Sequence, residues 1–460
     1  MLKVGTQFAG VINQLVQEVE ALRASIGQLM ETISFHRRFN DFLLGRFLEE
    51  SGELVEEEPD GVKSYKVGPA HFGKLKRLER RLTSSAVAES LLPGSLLITL
   101  VSRYDAFLGR LIRTMLLTRP ELLKSSERTL TLSNLLELGN YEGAKDYLVE
   151  KEIESVLRKS HTDHFGWLES KLDMHLRKEL SSWPRFVELA ERRNLLVHCD
   201  GVVSHQYLAN CKENSVELEA CSVGDKLGVP PAYFKAACDC ILEIAAKLTH
   251  VIWRKLCPND REGADDALNY SCIELLMHEN FALAHELLKF AHATLKKHAS
   301  ERHRLMCLVN LAQSSKWLNM DKECQSLLST EDWSAKGFEF QLCVAVLQEH
   351  WDQAVSIMKQ IGKDGAVKAE DYRTWPVFRS ARKEKRFQEG YKELFGEEMT
   401  LGESVATIKG KDIEQFFHSL IQQKSDNEDG DAKSVETTDA SLLDPDSSSD
   451  LTPQVNVDVP

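Results

Sequence analysis

The sequence predicts an all-α protein, a helical bundle followed by an array of short helical hairpins. Apolar residues recur at helical spacing over most of the chain, and no convincing alternating strand occurs between Pro69 and Leu256. Of 460 residues, 42% are hydrophobic and 28% charged, enough to build cores in two to four domains. This composition excludes a collagen-like, disulfide-framework or wholly disordered protein. The expected divisions are an amphipathic helix region at 1–60, a helical domain at 61–258, hairpin repeats at 259–398, a C-terminal helix at 399–423 and a tail at 424–460.

The first element is a long helix. Phe8, Val11, Leu15, Val19, Leu22, Ile26, Leu29 and Ile33 follow one another at steps of 3 and 4, close to a heptad seam. Such a seam serves equally to pair with a second copy or to pack on the chain's own core. The acid-, Pro- and Gly-rich stretch 53–68 reads as a loop. Helices are then expected at 71–91, 95–117, 133–138, 141–158, 163–178, 184–199 and 231–256. Pro93-Gly94, Gly139 and Pro230-Pro231 punctuate them.

Beyond Pro258 four segments align: HENFALAHELL (278–288), LNMDKECQSLL (318–328), QEHWDQAVSIM (348–358) and KEKRFQEGYKEL (383–394). A small residue recurs at Ala284, Cys324, Ala354 and Gly390, and an aromatic three residues earlier at Phe281, Trp351 and Phe387. The mean period of about 35 resembles tetratricopeptide repeats in degenerate, TPR-like form. Small residues let paired helices approach closely, and stacking buries faces that one hairpin cannot bury alone. His278, His285, His292, His298 and His303 read as repeat surface.

The formal charge is −14, from 71 acidic and 57 basic residues. Residues 424–460 hold ten acids and two lysines, hence −8, which leaves −6 for the first 423 residues. A mild acidic balance excludes a generic nucleic-acid coat but not a small basic site. The tail lacks aromatics and is expected to be disordered. All ten cysteines lie between Cys199 and Cys343 with no paired C-x-x-C, which suits reduced core thiols in a cytoplasmic protein. No signal peptide and no membrane span are expected.

Two helices carry a charge against their own grain. On 184–199 the buried stripe should run Phe186, Leu189, Ala190, Arg193, Leu196 and Val197, so Arg193 stands where an apolar residue is expected. On 95–117 the stripe Ile98, Val101, Asp105, Leu108, Ile112 and Met115 has Asp105 as its one polar interruption. An inward guanidinium is costly unless paired, and Asp105 is the candidate partner, whether as a register-fixing ion pair or as part of a site. In ERRNLLVHCDG (191–201), Asn194 and His198 are four apart and share a helix face beside Arg193. His198 lies in the last turn, where the helix dipole favours imidazolium. Arg, Asn and His together suit phosphate handling without metal.

Arg193-Asn194-Leu195-Leu196-Val197-His198 resembles the R-x(4–6)-H signature of HEPN-domain ribonucleases (higher eukaryote and prokaryote nucleotide-binding). The resemblance covers roughly 95–256, under half the chain. It implies a HEPN-like bundle and metal-independent endoribonuclease activity by attack of a 2′-hydroxyl on the adjacent phosphate, with no cofactor. Carried over, His198 moves protons, Arg193 stabilises charge on the phosphate, Asn194 orients the group, and Asp105 positions Arg193 or His198. It also implies a homodimer with both motifs at one cleft. Joined to a repeat array that binds a protein partner or antitoxin, such a domain suits a toxin or anti-phage role, an inference from fold analogy alone.

Other signals are weaker. His161 and His164 have metal-like spacing but no fixed partner nearby, so a solvated helix start is expected. Neither glycine-rich phosphate motif occurs. The basic run KLKRLERRL (74–82) suits an RNA path or simply a solvated helix face. The alternative from a different class is a non-catalytic, dimerising α-helical scaffold.

Overall fold

The computed structural model describes residues 4–399 apart from 60, 126–129, 179, 219–220 and 296. The C-terminal helix expected over 399–423, except Met399, and the acidic tail lie outside them. Helix α1 (Val4–Ser51) is proline-free and runs for 48 residues, a length of about 70 Å at 1.5 Å per residue. Its stripe settles onto the chain's own core: Phe8, Val11, Leu15, Val19 and Ile26 are all buried. Leu29, further along, is exposed.

The stretch expected to be a loop is an antiparallel hairpin, β1 (Gly52–Glu57) and β2 (Lys63–Val67), with Leu54 opposite Tyr65 and Glu57 opposite Lys63. Acids of β1 face lysines of β2, which favours the pairing. Neither face covers a core, so no apolar alternation marks it.

Helix α2 (Phe72–Thr118) then returns beside α1. The sequence suggests two helices broken at Pro93-Gly94, but α2 is continuous through Pro93. An interior proline costs roughly 3 kcal/mol, and both flanks are held. On one side Ser34 and Arg37 of α1 bond Glu89, at 2.6 and 2.7 Å. On the other, Leu97, Leu100, Val101, Tyr104 and Leu108 are buried in the core. Gly94 lets Leu196 approach to 3.3 Å of where a Cβ would stand. One 18-residue window in 69–118 is long and apolar enough to cross a membrane by length and composition alone.

Next come α3 (Leu132–Leu138), α4 (Tyr141–Leu157), α5 (His161–Leu172), α6 (Trp183–His198), α7 (His205–Glu213) and α8 (Pro231–Leu256). Helix α8 is the central post, packing on α1, α2 and α6. Helices α9 (Arg261–Met277) and α10 (Phe281–Phe290) form the first hairpin, and its Leu268, Leu283 and Leu287 belong to the same core as the bundle. Helices α11 (Glu301–Trp317) and α12 (Asp321–Leu328), then α13 (Phe338–Leu347) and α14 (Trp351–Ile361), form the next two. With α15 (Ala369–Thr374) and α16 (Lys385–Phe395) they enclose a second core around Val344, Val346, Leu347, Met358, Tyr372, Phe378 and Phe387.

All three hairpin turns share one geometry. Glu279, Asn319 and Glu349 are left-handed, at φ 60°, 61° and 60°. The following residue donates to the carbonyl five back: Asn280 to Leu275, Met320 to Ser315 and His350 to Ala345, at 2.8–2.9 Å. Such six-to-one bonds end helices in the Schellman manner, here without glycine. The recurring small residues Ala284, Cys324 and Ala354 are buried, and a Cβ on Gly390 would come within 2.8 Å of Val355. Two histidines read as surface are not. His285 is buried against Ser314, and His298 lies 3.5 Å from the buried Asp265 carboxylate.

Candidate active site

Helix α6 begins with Pro184 in its first turn and ends at His198, the asymmetry that Pro and Gly impose on helix boundaries. After it, Asp200 and Gly201 are left-handed, and the Gly201 N–H donates to Leu195 O at 3.0 Å. A Cβ on Gly201 would lie 2.8 Å from the Leu227 carbonyl, so the turn after the motif is closed by the 222–229 loop. Phe186, Leu189 and Ala190 are buried as expected, but Val197 is 45% exposed. Helix α7 packs against the last turn instead and buries Leu195 with Val203, Tyr207 and Cys211.

Asp105 of α2 and Arg193 of α6 meet, with Arg193 Nη2 3.4 Å from Asp105 Oδ2. Both side chains keep about a quarter of their surface, 26% and 25%, so the pair is reachable from solvent. Arg193 Nη1 also donates to Asn194 Oδ1 at 3.0 Å. His198 is exposed, and its side chain makes no hydrogen bond among the described residues. It follows Asn194 by one helical turn on the same face. Asp105, Arg193 and Asn194 are therefore brought together, while His198 stands at the helix end beyond them.

The histidine that does contact Asp105 is His161, with Nε2 3.0 Å from Asp105 Oδ1. His164 lies beside it at 5.2 Å between rings and is only 2% exposed. The helix start is solvated at Ser160 and Asp163, as expected, but the two histidine side chains are not. Ser160 and Asp163 form a reciprocal capping box, Asp163 N–H to Ser160 Oγ and Ser160 N–H to Asp163 Oδ2, which fixes where α5 begins. Residues three apart then share a face, and His161 and His164 both turn inward to α2. The S-x-x-D capping box at 160–163 is a visible signal for this. Tyr104 and Phe186 wall the cluster, with Phe186 edge-on to His161 at 5.7 Å.

Burial, then the neighbouring His161, depresses His164 to a pKa of about 4, so its imidazole is neutral at ordinary pH. Neither ring nitrogen makes a hydrogen bond of normal geometry; the Lys159 carbonyl comes near enough to interact weakly. A buried polar group left this way costs roughly 1–3 kcal/mol.

The opposite face of α6 carries a second polar network. Glu188 accepts from Arg192 Nε (2.7 Å), Tyr207 (2.8 Å) and Tyr233 (2.7 Å), and Arg192 lies 4.0 Å over the Tyr233 ring. It borders an open cleft of about 960 Å³. The basic run 74–82 forms an exposed face of α2, with Lys76 paired to Glu79.

No known family model, no curated protein and no solved structure matches this chain. The all-α class therefore rests on the fold itself, and the chemistry on the residues of α2, α5 and α6.

Proposed function

We propose that the protein is a HEPN-type endoribonuclease whose reactive groups are Arg193, Asn194 and His198, with Asp105 positioning Arg193. The observation that carries this reading is the solvent-reachable Arg193, held by Asp105 and Asn194 one turn before an unencumbered histidine. A guanidinium with donors to spare is suited to a phosphodiester. In the reaction the RNA 2′-oxygen attacks phosphorus and the bond to the 5′-oxygen breaks. The 2′-hydroxyl proton leaves to a base, and the 5′-oxygen gains a proton from an acid. His198 takes one of these proton-transfer roles, and Arg193 offsets the charge that grows on the phosphoryl oxygens. A second copy's His198 would supply the other, in the two-fold arrangement that the family resemblance implies. The hairpin array, TPR-like in its repeated turns, serves as the partner-binding surface in this reading.

The test is cleavage of labelled RNA by the purified full chain in EDTA, compared with Arg193→Ala and His198→Ala. Loss of cleavage in both variants supports the assignment. Cleavage that neither substitution alters removes it.

A second reading, the dimerising scaffold, is favoured by apolar side chains exposed along the distal halves of α1 and α2: Phe35, Phe42, Phe72, Val87 and Leu91. Under it no RNA is cut, and Phe42→Glu with Leu91→Glu converts a sedimenting dimer to monomer.

A further inference from the structure

The cluster around Asp105 holds more chemistry than positioning Arg193 requires. We propose that Asp105, His161 and His164 form a binding site for a first-row divalent cation of the zinc type, with Arg193 at its rim.

Geometry supplies the first argument. One carboxylate oxygen and one nitrogen from each ring lie within 4.8 Å of one another. No other trio of His, Cys, Asp or Glu among the described residues comes together in this way. Zinc bonds of about 2.0–2.2 Å place tetrahedral ligand atoms roughly 3.3 Å apart. The Asp105–His161 pair, at 3.0 Å, already matches that separation. The widest pair needs to close by at most about 1.5 Å to reach that spacing.

His164 supplies the second. It is 2% exposed, next to the other two ligands, and its ring nitrogens have no normal hydrogen bond. Buried polar groups are nearly always satisfied, and each exception calls for a cause. A cation among these three groups gives that imidazole its partner.

The donor set selects the ion. Two imidazoles and one carboxylate, with no thiolate, suit Zn²⁺, Co²⁺, Ni²⁺ or Fe²⁺ rather than the all-oxygen preference of Ca²⁺ and Mg²⁺. Two helices are joined by it, since Asp105 comes from α2 and both histidines from α5. Asp105 then faces the ion through Oδ1 and Arg193 through Oδ2, so ion and guanidinium share one carboxylate. Three protein ligands leave a coordination position for water. This site does not rest on the ribonuclease reading.

The experiment is equilibrium dialysis of the full-length protein against Zn²⁺, with bound metal measured directly, and a parallel Co²⁺ titration followed by visible absorption. A single equivalent should bind in the wild type. His161→Gln and His164→Gln should each weaken binding by more than roughly tenfold, with circular dichroism confirming the fold. Should His164→Gln fail to fold, the less buried His161→Gln carries the comparison. Cys199→Ser, which removes an exposed thiol outside the cluster, should leave affinity unchanged. No saturable binding, equal affinity in His161→Gln, or loss in Cys199→Ser overturns the proposal. The readout is bound metal, whereas the ribonuclease test runs in EDTA, so the two can fail separately.

Discussion

Replacing Glu188 with alanine asks whether α6 is held in register from behind its site face. The Glu188 carboxylate is shared by three helices, through Arg192 of α6, Tyr207 of α7 and Tyr233 of α8. Burial and then the Glu188 charge push both phenols above 10, so each stays a donor to it. Without the carboxylate, Arg192 keeps only the Gly228 carbonyl at 3.0 Å and the Tyr233 ring. Its side chain is 15% exposed, and removing one partner of a buried pair costs about 3–5 kcal/mol. The two hydroxyls would add roughly 1–3 kcal/mol each if sealed. The 960 Å³ cleft beside them admits water, and neighbouring losses do not add. The expected loss is therefore about 3–5 kcal/mol in all. Glu188→Gln keeps an acceptor oxygen and the side-chain volume but not the charge, and should lose about 1–2 kcal/mol. Urea unfolding, read as the shift of the midpoint at constant slope, measures both. A Glu188→Ala loss under about 1 kcal/mol, or a larger loss in Glu188→Gln, would refute the reasoning.

Three further outcomes follow from other parts of the molecule. Burial raises Asp265, but hydrogen bonds from His298, the Ala299 N–H (2.6 Å) and Arg254 (2.5 Å) outweigh it and hold the carboxyl at about 2. Against an unfolded value near 3.9, this contributes about 2–3 kcal/mol above that pH, lost as pH falls through about 2. Asp265→Asn should flatten the acid limb of the stability–pH curve, and an unchanged limb contradicts this role. Gly201→Ala forces a side chain into a left-handed position against the Leu227 carbonyl. It should cost about 2–3 kcal/mol by urea unfolding and reduce RNA cleavage with it. His198→Ala, at an exposed site where the side chain makes no hydrogen bond among the described residues, should change stability by less than about 0.5 kcal/mol. A larger drop would show a structural role for that histidine.

Much of the helical order is legible in the sequence because local signals and burial agree. Pro184 and Gly201 bracket α6, and Pro230-Pro231 opens α8, close to the expected bounds. The Asp105–Arg193 meeting is legible too, since each breaks the apolar stripe of its own helix. Pro93 misleads because packing against α1 and the core holds α2 together across it, a tertiary effect that local spacing cannot carry. The β-hairpin is hidden because its strands bury neither face. The hairpins are legible from their recurring small and aromatic residues, but the left-handed residues Glu279, Asn319 and Glu349 in their turns are not, because left-handed helix ends usually advertise themselves with glycine. His161 and His164 look solvated by composition; only the capping box that sets the phase of α5 turns them inward.

The central claim is that RNA itself supplies the nucleophile at the Arg193–His198 site. The most direct measurement offers the full-length protein an RNA that it cuts, alongside the same RNA with a single 2′-deoxynucleotide at the scissile position, and identifies the product ends. The expected products are 2′,3′-cyclic phosphate and 5′-hydroxyl ends from the all-ribose strand, with no cut at the deoxy position. Cleavage at the deoxy position, or 5′-phosphate ends, would contradict it.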